Sequence, residues 1–231
     1  MRLSIIIPCY NERETIEPIL TAVRAVDLGY VQKEIIIIDD GSIDGTREIL
    51  KGYEHQDNII IIYHEKNEGK GMAIRNGLKR ASGEIIIIQD ADLEYDPNDY
   101  PKLIGPIIRK EAKVVYGSRQ LNPKNRKHSG WSYYLGGIVV TCITNFLFGT
   151  KLTDEPTCYK VFDTETIKKI NLRCQRFEFC PEVTAKLAKN KIGIKEVPIS
   201  YKPRNKASGK KINFRDGIEA IWTLIKYRFR D

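Results

Sequence analysis

An α/β domain with a mostly parallel central sheet and helices on both of its faces is the architecture this sequence predicts, and three observations predict it. Short isoleucine-rich runs, apolar at every position, recur through the first half, as strands buried on both faces require. Stretches with apolar residues at i, i+3, i+4 and i+7 lie between them. Polar segments follow four of the apolar runs, where a parallel sheet presents its ligands.

The elements follow in order. Leu3 to Ile7 reads as the first strand, and Asn11 is placed to cap the helix carrying Ile16, Ile19, Leu20 and Val23. Ile35 to Ile38 is a second buried strand, and a helix begins over Gly45 to Leu50. Ile59 to Tyr63 is a third strand, with a helix from Gly71 to Ala81 after it. Ile85 to Ile88, behind a Ser-Gly break, is the fourth, and a helix follows over Pro97 to Lys110. Val114 to Tyr116 is the fifth. Gly69-Lys70-Gly71 lacks the G-x-G-x-x-G spacing, because Ile74 fills the last position, so it reads as a tight turn opening a helix.

Beyond Arg119 the pattern changes. Asn122 to Ser129 is a polar, basic loop. Trp131 to Phe148 is too interrupted for a membrane span of about 20 apolar residues, and reads as a core helix or one facing a lipid chain. Cys158 to Phe162 is a strand, Glu182 to Lys189 a helix and Ile194 to Ile199 another strand. A last helix sets Phe214, Ile218, Ile221, Ile225 and Phe229 on one stripe beside Lys226, Arg228 and Arg230. Such a basic amphipathic helix suits an acidic membrane surface, or docks on the body.

The 231 residues suffice for one large α/β domain, 1–231, with no repeat or second domain. Its first part, 1–119, carries the acids, and 120–231 carries a basic loop and the amphipathic last helix. The net charge of +8 gathers in that second part and calls for an anionic partner. A nucleic-acid-binding module would satisfy the charge, but no RNP, KH or helix-turn-helix signature accompanies it. Five cysteines without a C-x-x-C pair fit a reducing compartment. Met1 leads directly into the first strand without signal-peptide features, so a cytoplasmic address is expected.

Chemistry concentrates at the strand ends. After the fourth strand, Asp90, Asp92 and Glu94 alternate, a hard-oxygen set suited to Mg²⁺ or Mn²⁺, although acids there also cap helices and satisfy turns. Asp39 and Asp40, after the second strand, suit a base N–H or ribose hydroxyls, and Asp40-Gly41 is equally an ordinary turn. Tyr10 is placed to pack against a base or within the fold. A nucleotide-sugar donor uses all of these, with the cation neutralising a departing diphosphate.

Pro8-x-Tyr10-Asn11-Glu12, Asp39-Asp40-Gly41-Ser42, Asn67-x-Gly69-Lys70-Gly71, Asp90-Ala91-Asp92 and Gly117-Ser118-Arg119, in that order, resemble the family 2 glycosyltransferases, whose single Rossmann-like domain has the GT-A fold. Leu152 to Phe162, Phe177-Glu178-Phe179 and Val197-Pro198-Ile199-x-Tyr201 narrow the resemblance to the dolichyl- and polyprenyl-phosphate sugar synthases. The resemblance implies a nucleotide-sugar pocket lined by Pro8, Tyr10, Glu12, Asp39, Asp40 and Ala91. It implies a metal at Asp90, Asp92 and Glu94, with Gln common in relatives at the last position. Arg119 would reach the phosphates of donor or acceptor. Arg204 and Lys210 match a basic loop closing over the donor diphosphate and the acceptor phosphate. A second acceptor-binding arginine that some relatives place in the segment matching 131–137 is absent, leaving Arg126, Lys127 or His128 as substitutes. Many relatives carry C-terminal transmembrane helices, whereas this chain stops at Asp231, so association with the cytoplasmic membrane face is expected to be peripheral or through a membrane partner protein.

The expected reaction is inverting, metal-dependent transfer of a hexose, from a GDP-mannose or UDP-glucose type of donor, to a polyprenyl or dolichyl phosphate. A phosphate monoester is already ionised near neutrality, its second pKa being about 6, so no general base is needed. A saccharide or other hydroxyl acceptor would need one, and Asp154 is the candidate. Nucleic acid is not an expected partner.

Overall fold

The isoleucine runs form the sheet. The structure, a computed structural model, describes residues 1–125, 130–204 and 213–230. Its strands are β1 (Arg2–Cys9), β2 (Gln32–Asp39), β3 (Ile59–Tyr63), β4 (Ile85–Ile88), β5 (Val114–Ser118), β6 (Lys160–Asp163) and β7 (Ile194–Pro198). Their spatial order is β3-β2-β1-β4-β6-β5-β7. All neighbours are parallel except β6, which runs antiparallel to both β4 and β5. β5 is therefore bracketed by two strands from the later part of the chain.

Successive isoleucines point to opposite faces, and each face has its own cover. Ile5, Ile7, Ile35, Ile37, Ile85 and Ile87 pack with Ile16, Ile19, Leu20 and Val23 of α1 (Ile16–Ala25) and with Leu103 and Ile104 of α4 (Tyr100–Ile108). Ile6, Ile36, Ile38, Ile86 and Ile88 pack with Ala73 and Ile74 of α3 (Lys70–Arg80) and with Val183 and Leu187 of α7 (Phe179–Lys189). That two-sided burial is why the strands read as unbroken apolar runs. Edge strands β3 and β7 are only half-buried. Gly77 lets α3 lie close on the sheet, since a Cβ there would meet Ile6 Cγ2 at 2.6 Å. Short helices α2 (Thr46–Lys51) and α6 (Thr164–Lys168) complete the layers with α5 (Trp131–Phe148) and α8 (Phe214–Phe229).

One expectation is corrected, and one left open is decided. Asn11 does not cap α1, which starts after Thr15; at φ 50° it instead accepts from the Ile43 amide through its side chain and donates its own amide to Ser42. Asn tolerates that left-handed backbone, so the position staples two strand-end loops together. The apolar stripe of α8 faces outward: Phe214 is 83% exposed and Phe229 79%, while Leu224 and Tyr227 are buried against Val140 of α5 and Ala185 of α7. Periodicity finds a stripe but not the side on which the body lies. The final helix is secured instead by the Tyr227 hydroxyl, which donates to buried Glu182 at 2.9 Å. Among the described residues no helix is long and apolar enough to cross a membrane.

Candidate functional site

Strands β2, β1 and β4 are adjacent and parallel, so the segments after their carboxyl ends meet at one edge. Pro8 is buried opposite Ile38, Tyr10 is half-buried just beyond β1, and Ala91 is buried beyond β4. Asp39 is fully buried; one oxygen accepts from the Ser42 amide and the other from Arg47 Nε at 2.6 Å. Asp40 departs from expectation. Its carboxylate accepts from the amides of Glu68 and Gly69 and meets His64 Nδ1 at 2.7 Å. It fastens the loop after β3 to the end of β2, a backbone-satisfying role rather than a ribose-facing one.

Arg204 links Glu12, beyond β1, to the acids beyond β4. Its guanidinium forks onto Glu12 at 3.0 and 3.1 Å and lies 3.2 Å from Asp92, while its amide donates to Glu94 at 2.6 Å. Among the described residues its Nε is buried without a hydrogen-bond partner. Lys210 lies outside the described residues, as do Arg126, Lys127 and His128.

The acids are held separately. Asp90 pairs with Lys70 Nζ at 2.5 Å. Burial raises its pKa, but the Lys70 ammonium, the Cys158 thiol and Arg204 outweigh it and hold the carboxyl below its usual range. Asp92 goes the other way: burial and then the charges of Asp90 and Glu94 push it up to about 7. Glu94 accepts from the Tyr201 hydroxyl as well as from Arg204. Among the described residues no three His, Cys, Asp or Glu side chains are grouped as a ready metal cage, so the expected three-carboxylate grouping is not preassembled. The donor set still fits a hard divalent cation, because Asp90, Asp92 and Glu94 are crowded carboxylates whose mutual repulsion Lys70 and Arg204 leave strong enough to raise Asp92, and Mg²⁺ is ordinarily held by one or two carboxylates plus substrate phosphates. Mn²⁺ favours the same oxygen ligands.

The reversed direction of β6 explains the other half. Because it starts at the edge where its neighbours end, it brings 153–159 beside Arg119, just beyond β5. Arg119 forks onto Asp154 through Nε at 2.7 Å and Nη2 at 2.6 Å, and its guanidinium stacks 5.2 Å from the Tyr201 ring. Asp154 is buried, and Glu196 on β7 accepts from the Thr153 and Asp154 amides that position it. Glu155 is fully buried, with one oxygen bonded to Thr184 and the other unpartnered, and burial raises its pKa.

From this polar end opens a cavity of about 930 Å³, lined by Lys70, Arg119, Asp154 and Tyr201 at one end and by apolar residues of α5 and α8 beyond. Leu135, Ile138 and Val139 on α5 and Ile218 on α8 are at once cavity-lining and surface-exposed. Trp131 to Phe148 is thus neither wholly a core helix nor a surface one. The sequence reading gave no site role to Lys70, which it placed in a turn and in a family motif, or to Glu196, for which β7 offered no distinctive signal.

The sequence matches the family described as Glycosyl transferase family 2 over residues 4–170. A UDP-N-acetylglucosamine–dolichyl-phosphate N-acetylglucosaminyltransferase of Methanococcus voltae is 32% identical over 239 aligned positions, covering 96% of this chain and 94% of the relative. A dolichol-phosphate mannosyltransferase of Pyrococcus furiosus is 34% identical over 134 positions, covering 58% of this chain and 37% of its own. The structure of glucosyl-3-phosphoglycerate synthase from Mycobacterium tuberculosis with Mn²⁺, UDP and glucosyl-3-phosphoglycerate superposes with a TM-score of 0.73 at 18% identity, covering 100% of this chain and 81% of that one. That likeness concerns the fold, which is GT-A. With the family match spanning most of the chain and a relative aligned almost end to end, this protein belongs to the family 2 glycosyltransferases and is a glycosyltransferase.

Proposed function

We propose that the enzyme moves a sugar from a nucleotide-sugar donor to a polyprenyl or dolichyl phosphate, with inversion and with a divalent cation at the acid cluster. The observation that carries this reading is the cavity: a polar end at Arg119 and Asp154 opens into an apolar channel between α5 and α8. A phosphate head with an isoprenoid tail matches both parts, whereas a saccharide would leave the apolar wall unused. The names of the two curated relatives support the same acceptor class.

Glu12, Asp39 and Arg204 border the donor, and Tyr10 lies beside them. Asp90 and Asp92 would hold Mg²⁺ or Mn²⁺, which supplies charge neutralisation for the departing nucleoside diphosphate. Arg204, with its open Nε, offers a donor to the same diphosphate. Arg119 orients the acceptor phosphate, and Asp154 fixes the plane of the guanidinium. An ionised phosphate oxygen attacks the anomeric carbon; the new carbon–oxygen bond forms as the bond to the diphosphate oxygen breaks and its electron pair departs. Asp154 is occupied by Arg119, which favours a positioning role over that of a base.

The exposed apolar side chains of α5 and α8, with Lys226, Arg228 and Arg230 exposed beside them, support peripheral docking on an anionic membrane face, where such an acceptor resides. A panel of nucleotide-sugars, beginning with UDP-N-acetylglucosamine, GDP-mannose and UDP-glucose, is offered with Mn²⁺ and a short polyprenyl phosphate, and release of nucleoside diphosphate is followed. Transfer to the phosphate with at least one donor, lost on chelation and restored by Mn²⁺ or Mg²⁺, is expected. Transfer only to saccharide hydroxyls overturns the reading.

A further inference from the structure

Among the described residues that line the cavity, Lys70 and Arg119 are the only cations. Lys70 reaches it because its flanking glycines let the start of α3 press against the loop at 174–176. A Cβ on Gly69, whose φ is 97°, would meet the Gln175 carbonyl oxygen at 2.4 Å, and one on Gly71 would meet that of Arg176 at 2.9 Å. The Met72 amide then donates to Gln175 O at 2.9 Å and locks the approach. So Gly69-Lys70-Gly71 is more than a turn: its glycines deliver an ammonium to the wall of the cavity.

At that wall, among the described residues, Lys70 Nζ has two hydrogen-bond partners, Asp90 at 2.5 Å and the Cys158 sulfur at 3.4 Å. An ammonium carries three donors, so one is unspent. Arg119 spends Nε and Nη2 on Asp154, and among the described residues no hydrogen bond to its Nη1 stands beside these. A phosphate monoester carries about −1.5 to −2 charges at pH 7. Drawing that charge to the mouth of an apolar channel needs compensation, and Arg119 already shares its own with Asp154.

We propose that Lys70 is the second cationic ligand of the acceptor's phosphate, acting with Arg119 across the polar end of the cavity. The assignment rests on the phosphate-acceptor reading above. It supplies from α3 the positive charge that the segment 131–137 lacks. Because the same ammonium holds Asp90, it also joins the acceptor head to the donor side, and its flexible stem can share an anion with Asp90 without a change of backbone.

The test is equilibrium binding to the full chain, without metal, of farnesyl phosphate and farnesol, which differ only in the charged head. The proteins are wild type, Lys70→Met and Lys70→Arg, and affinity for UDP with Mn²⁺ is measured in parallel. Lys70→Met is expected to weaken farnesyl phosphate by about tenfold or more while leaving farnesol within about twofold, as loss of one charge-assisted contact predicts. Lys70→Arg should recover much of the difference, and UDP with Mn²⁺ should change far less than farnesyl phosphate. Equal loss for both prenyl ligands, no loss, or loss confined to UDP with Mn²⁺ overturns the assignment. A wild type that does not prefer farnesyl phosphate overturns the phosphate-acceptor reading together with this one. A wild type that prefers it, with Lys70→Met preferring it equally, overturns only the role of Lys70. Should Lys70→Met fail to fold, Lys70→Gln, which keeps a donor for Asp90, carries the same comparison.

Discussion

Arg204 forks onto Glu12, 192 positions earlier in the chain, at 3.0 and 3.1 Å. Burial alone would lower the pKa of the guanidinium, but Glu12, Asp92 and Glu94 together hold it above its ordinary value. This one side chain ties Glu12, beyond β1, to Asp92 and Glu94, beyond β4.

Replacing Arg204 by Lys keeps a charge and loses the fork. The affinity for UDP with Mn²⁺, measured calorimetrically, is expected to fall about tenfold to a hundredfold. Arg204→Met should in addition lower thermal stability, because it strands a buried Glu12, a loss of up to about 3–5 kcal/mol where the partner stays desolvated.

Asp154→Asn keeps the shape beneath Arg119 and removes its countercharge. Transfer to a prenyl phosphate should drop by about tenfold to a hundredfold in kcat/KM, about 1.4–2.7 kcal/mol of transition-state stabilisation, with UDP binding unchanged. Complete loss in a folded protein that still binds donor would assign Asp154 the duty of a base and so favour a hydroxyl acceptor.

Acid unfolding should report on Glu182. Burial raises the pKa of this carboxyl, but the Lys186 ammonium, the Arg173 amide and the Tyr227 hydroxyl pull it lower, to a net value below the usual range. A depressed folded pKa means that the carboxylate's contribution is complete above its unfolded value of about 4.5 and is lost as pH falls through the folded value. Glu182→Gln is expected to cost about 1.5–3 kcal/mol at pH 7 and progressively less on acidification, read from denaturant midpoints between pH 7 and pH 3.

On α8, Trp222 and Phe229 are exposed, so Trp222→Ser with Phe229→Ser should move folding stability by no more than about 0.5 kcal/mol per site. Sedimentation with anionic phospholipid vesicles should nonetheless fall sharply. Retention of full vesicle binding would remove this helix from the docking surface.

Much of the fold was legible because strands buried on both faces must be apolar at every position, and the first five runs are. Strand order was not, since β6 slips between β4 and β5 through pairings over long sequence distances that no local pattern records. At the site, residue type was readable and its use was not. Asp39 and Asp40 are adjacent carboxylates, yet Asp40 serves the amides of Glu68 and Gly69, a choice made by a loop folded nearly thirty positions later. The acid cluster was read as one cage, but Lys70, Arg204 and Tyr201 each claim a different member. For α8 the sequence left two orientations open, and the side that meets the body carries Leu224 and Tyr227, whose hydroxyl reaches Glu182 across 45 positions.

The counter-running β6 limits how this enzyme can be re-engineered. The segment leading into it holds Asp154 against Arg119, while the strand itself pairs with both β4 and β5. On the proposed assignment the loops after β1 and β2, which border the donor, lie outside that seam. A graft meant to change the acceptor must instead carry 152–163 together with the strands that flank it, or the hybrid loses the seam of its own scaffold.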